Sequence, residues 1–146
     1  MILVVSTDSF NCRFYEYHKH TGKLIFLKEF NHPQDNMKTS ELTADKLGNY
    51  QGHHSGGSAY SPHMEMKEVH VQAFLRKLAD ELNTEIALHD VKLIVVASSQ
   101  VSGVLFKYLN KQVKAAIINH LQKDLLHLSE HELTAYLQEH AQFPDS

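Results

Sequence analysis

The sequence predicts an α/β domain: a five-stranded mixed sheet with helices over its faces, in the order β-β-β-α-β-α-β-α. Three observations lead there. Three strand-like runs lie close together between Ile2 and Phe30, joined by turns short enough for an antiparallel meander. A long amphipathic helical stripe follows, and apolar runs then alternate with helical patterns, the arrangement that lays helices on a sheet. With 146 residues and 42% hydrophobic content, the chain reads as one globular domain over residues 1–146.

Ile2 to Ser6 (ILVVS) is a continuous apolar run rich in β-branched residues, the signature of a buried strand. Phe10 to Tyr17 is aromatic-rich and suggests a second strand. His18 to Gly22 makes the turn into a third, Lys23 to Phe30, in which Leu24 and Phe26 alternate with Ile25 and Leu27. Apolar residues alternating on the edge of this meander could pair between chains, so a homodimer is one expectation.

Asn31 to about Ser61 has no sustained period and reads as a long loop. Its core, Gly48 to Pro62, holds four of the six glycines and two adjacent histidines. Loops this long are uncommon in compact domains unless functional or disordered. Ser61 and Pro62 then suit the cap and first position of a helix. Val71, Phe74, Leu75, Leu78, Leu82 and Ile86 recur at three- and four-residue steps along it, one apolar stripe ending near His89.

Val91 to Ala97 predicts a buried strand. Ser98 and Ser99 cap a short helix with Val101, Val104, Leu105, Tyr108 and Leu109 inward, and Val113 to Leu121 predicts a further strand. Ser129 and Glu132 form a capping box before a closing helix through Leu133, Tyr136 and Leu137.

Composition narrows the function classes. A net charge of −3 removes the argument that a strongly basic domain would give for nucleic acid, although His18, Lys19, His20, Lys23 and Lys28 form a local basic cluster in sequence. Twelve histidines make the charge sensitive to pH near their ordinary pKa of about 6.5. The lone Cys12 fits a reducing compartment and a core position. The four-residue apolar run before Ser6 is short for a signal peptide, and no run reaches a membrane span of roughly 20 residues. A cytoplasmic location and no membrane partner are expected.

The glycine-rich loop invites three chemistries. A phosphate loop needs Gly-Lys-Ser/Thr opening directly into a helix, and Gly56-Gly57-Ser58 has no lysine beside it. Metal ligation would draw on His53, His54 and His63 with Asp45, Glu65 and His70, but no cysteine pair or His-x-x-x-His on one helix face supports it, so no metal and no cofactor is expected. No Gly-x-Ser-x-Gly elbow marks a nucleophile.

As a set, the residues resemble the bacterial host-attachment family, described as required for attachment to host cells. The resemblance rests on Asn31-His32-Pro33, on Ser40 to Asp45 with Gly48, and on Gly56-Gly57 before the long helix. Val95-Val96-Ala97 with Gly103-Val104-Leu105, and Lys123-Asp124-Leu125 with Ser129 and Glu132-Leu133, continue it in order along the chain. Ser98, Ser99 and Gln100 stand where the family often has proline and a basic residue, and Leu126 where threonine is common.

That family is similar in fold to the middle domain of eukaryotic and archaeal peptide-chain release factors, an RNase-H-like sheet. The resemblance implies that Gly56-Gly57-Ser58 lies where release factors carry Gly-Gly-Gln, with Ser58 in place of the catalytic glutamine. It implies a non-catalytic RNA- or ribosome-associated module. Lys46, Gly52, His53, His54, Gly56, Gly57 and Ser58 are the candidate contacts, and Lys46, His53 and His54 would meet phosphate. The alternatives are a peptidyl-tRNA ester hydrolase acting through the same loop, and a structural or regulatory domain that binds protein.

Overall fold

The computed structural model describes residues 1–32 and 62–142, with the backbone alone at 62–65. The candidate contacts Lys46, Gly52, His53, His54, Gly56, Gly57 and Ser58, and most of the expected 31–61 loop, lie outside the described residues.

Five strands and four helices are described: β1 (Ile2–Thr7), β2 (Asn11–His18), β3 (Lys23–Asn31), α1 (Pro62–Leu88), β4 (Lys92–Val96), α2 (Ser99–Tyr108), α3 (Lys111–Ala116), β5 (Ile117–Leu121) and α4 (Glu130–His140). They form a single mixed sheet in the order β3-β2-β1-β4-β5. β1 runs antiparallel to β2 and parallel to β4, and β5 is parallel to β4.

Alternation along the strands divides the core between two faces. Leu3, Val5, Cys12, Phe14, Leu93 and Val95 point one way and pack on the α1 stripe of Phe74, Leu75, Leu78 and Leu82, with Leu105 of α2 and Val113 of α3. Val4, Tyr15, Tyr17, Ile94 and Val96 point the other way, onto Leu133 and Leu137 of α4. Each fully buried leucine stabilises the fold by about 1.5–3 kcal/mol relative to leaving it exposed.

The helix ends are fixed locally. Ser98 Oγ accepts from the Val101 amide at 3.2 Å and opens α2. At α4 the capping box is complete: Ser129 Oγ accepts from the Glu132 amide at 3.1 Å, and Glu132 Oε1 accepts from the Ser129 amide at 2.9 Å. These bonds from Ser129 hold the Glu132 carboxyl below the ordinary carboxylate range.

Two expectations need correction. The strand expected from Val113 begins only at Ile117, because residues 111–116 form α3, and the element order therefore contains an extra helix. Asn110 starts it, its Oδ1 accepting from the Val113 amide at 2.9 Å, and Val113 and Ala116 turn inward three residues apart. The alternation expected in the third strand is also interrupted. Among the described residues β3 is the sheet edge, Leu27 is an extra residue in its pairing with β2, and Ile25, Phe26 and Leu27 are all exposed.

Candidate functional site

After β1 the chain turns back to β2 on one side, and after β4 it proceeds to β5 on the other. The carboxyl ends of β1 and β4 therefore flank a topological switch point, the place where open α/β sheets hold ligands. The side chains there are engaged in building the fold. Asp8 Oδ1 accepts from the amides of Phe10 at 2.9 Å and Asn11 at 2.7 Å, closing the β1–β2 turn. Thr7 Oγ1 donates to the Asn11 carbonyl at 3.0 Å.

Beside that turn, Ser102 Oγ lies 2.6 Å from His120 Nε2, joining the first turns of α2 to β5. Burial pushes the His120 pKa down, so the neutral imidazole prevails near neutrality. A serine–histidine contact suggests a nucleophile, but the Ser102 side chain is only 3% exposed and its hydroxyl also faces the Ala97 carbonyl at 3.4 Å. A nucleophile closed to substrate cannot turn over, so this contact is structural. Cys12 is equally closed, and burial drives its thiol far above the ordinary range.

On the α4 side, Asp8, Asn11, Arg13, Glu29, Asp124, Leu126 and His127 line a shallow cavity of about 340 Å³. Arg13 is held there by Glu29 at 3.6 Å and by the Leu126 carbonyl, which accepts from Nη1 at 3.1 Å. His70, weighed as a metal ligand, meets His32 edge-on at 5.3 Å between ring centroids, and His32 in turn meets Phe74. Among the described residues no three His, Cys, Asp or Glu side chains gather closely enough to hold a metal ion.

Charge separates more sharply than side-chain chemistry. From Val91 to Lys123 the chain carries Lys92, Lys107, Lys111, Lys114 and Lys123 and no acidic residue. α2 and α3 present Lys107, Lys111 and Lys114 to solvent, opposite the side that packs on the core. On the other face of the sheet α4 carries Glu130, Glu132 and Glu139 with no lysine or arginine.

Where α1 packs on α2, the basic surface gains an aromatic ring. The Arg76 guanidinium carbon lies over the Tyr108 ring, 5.7 Å from its centroid, and the Tyr108 hydroxyl donates to Gln72 Oε1 at 3.4 Å. Asn83 fixes this corner, donating to the Tyr108 carbonyl at 3.2 Å and accepting from the Asn110 amide at 3.0 Å.

The basic cluster noted in sequence between His18 and Lys28 is partly neutralised. Lys28 bonds to Glu81 and His18 Nε2 stands 3.4 Å from Glu16. The Lys107–Lys114 surface was not singled out in sequence. A charge tally by segment would have found it, since the net value averages it against the acidic C-terminal part.

A protein-family model described as "Protein required for attachment to host cells" matches residues 2–137. No curated protein matches the chain. Among the described residues no helix is long and apolar enough to cross a membrane.

Proposed function

The chain belongs to the family of proteins required for attachment to host cells, and we propose that it is a non-catalytic module that binds RNA, on the ribosome or free. The observation that carries this reading is the exposed lysine surface of α2 and α3 within a segment that has no acidic residue. Lysines spaced along one surface neutralise backbone phosphates and release their counterions, which gives affinity without base recognition. The five-stranded mixed sheet with helices on both faces supports a release-factor-type, RNase-H-like scaffold for it. The buried free thiol of Cys12 suits a reducing compartment, in keeping with a cytoplasmic place of action. Hydrolysis of a peptidyl-tRNA ester, the alternative reading, would act through the glycine-rich loop, which lies outside the described residues.

Sedimentation with ribosomes and free subunits at low and moderate salt tests the proposal. The intact chain should travel with ribosomal particles at low salt and leave them as salt rises. The variant Lys107→Ala/Lys111→Ala/Lys114→Ala should stay at the top of the gradient. Absence of the intact chain from every ribosomal fraction and from free RNA at low salt refutes the reading. So does co-sedimentation that the triple substitution leaves unchanged.

A further inference from the structure

We infer that the Tyr108–Arg76 pair is a stacking platform for a base, so that the polyanion taken by this surface is single-stranded RNA. The inference rests on the RNA-binding reading above and adds the form of RNA.

Lys107 directly precedes Tyr108, and Lys111 follows one short turn later at the start of α3, so positive charge brackets the ring along the chain. Tyr108 is partly buried against the core and its carbonyl is held by Asn83, so the ring has little freedom to lose on binding. Arg76 is exposed with its guanidinium over that ring. A guanidinium beside an aromatic ring sets a flat, charged surface next to a flat, apolar one, and a base can stack on either.

Bases in a duplex are already stacked on each other and offer this surface only phosphates. Bases of a single strand are free to stack on aromatic rings and guanidinium planes, while lysines alongside follow the backbone. An acidic polypeptide would satisfy the lysines and leave the platform unused. The pairing of a fixed ring with a planar cation therefore favours a single strand over both alternatives.

Fluorescence anisotropy with the full chain tests this, using a labelled oligouridine of about 12 nucleotides and an RNA duplex of equal length, a site size within the range of single-strand binders. Arg76→Lys keeps the charge and removes the plane. It should weaken oligouridine binding about fivefold to tenfold, as expected for a lost stacking contact, and leave duplex binding unchanged. Tyr108→Phe keeps the ring and should bind oligouridine as the intact chain does. The inference is overturned if Arg76→Lys binds oligouridine normally, or if it weakens both RNAs equally. Displacement of oligouridine by polyglutamate at matched charge overturns it as well, and assigns the surface to an acidic protein. Failure of the intact chain to bind either RNA overturns the RNA-binding reading itself, which separates the two claims.

Discussion

The salt dependence of RNA binding can be worked from the exposed charges before any measurement. The proposed contact uses four exposed cations, Arg76, Lys107, Lys111 and Lys114, out of six on α1, α2 and α3; Lys67 and Lys77 of α1 stand among Glu68, Asp80 and Glu81 in sequence. If each neutralises one phosphate of a single strand, log affinity falls against log salt with a slope of about −0.7 per charge, or about −2.8 in all. Raising salt from about 50 mM to 200 mM should then weaken binding about 50-fold. Of these four the triple lysine-to-alanine variant keeps only Arg76, so its slope should be about −0.7 and its loss about threefold over the same range. Lys28→Ala is the control, because Lys28 is already bonded to Glu81 and should change the slope little. Anisotropy titrations with labelled oligouridine across the salt series read these slopes directly. A triple variant with the slope of the intact chain would show that the phosphates are met elsewhere and would refute the assignment.

Three further outcomes follow from the packing. His120 takes up a proton less readily folded than unfolded, so its contribution is complete above the unfolded value of about 6.5 and is lost as pH falls through that value toward the depressed folded one. Urea denaturation should therefore show the stability advantage of the intact chain over His120→Gln shrinking between about pH 8 and pH 5.5, and a constant gap would refute it. Ser6 Oγ is buried without a hydrogen-bond partner among the described residues, so Ser6→Ala should be neutral or stabilising by up to about 1 kcal/mol. A clear loss of thermal stability would show that the hydroxyl has a partner. Leu137→Ala removes a fully buried anchor of α4 and should cost about 3 kcal/mol in chemical denaturation, against less than about 0.5 for Glu139→Ala on the exposed side. Equal effects would mean that α4 is not held by its apolar stripe.

What could be read from the sequence was what neighbouring residues decide together. The stripe from Phe74 to Ile86 and the box of Ser129 and Glu132 are local patterns, and the packing follows them. Two features needed tertiary information. The third strand has strand-like residues, but whether Ile25 and Leu27 are covered depends on tertiary placement, and among the described residues β3 is the last strand of the sheet. α3 is a helix of six residues, too short to show a period, and only the capping bond from Asn110 marks its start. The site divides in the same way. The lysines from 92 to 123 could have been counted in the chain, whereas Arg76 and Tyr108 are distant in sequence and meet only because α1 packs on α2. A net charge of −3 describes neither face of the molecule. α4 gathers glutamates on one side of the sheet, while on the other α2 and α3 gather lysines beside an α1 with five acidic and three basic residues. A polyanion approaching such a molecule is turned toward the lysine side before it makes contact, and low salt strengthens that orientation. An acidic chain can therefore present a basic site, provided that its lysines gather on one pair of helices, here α2 and α3, while the acidic residues are carried by others, here α4 and α1.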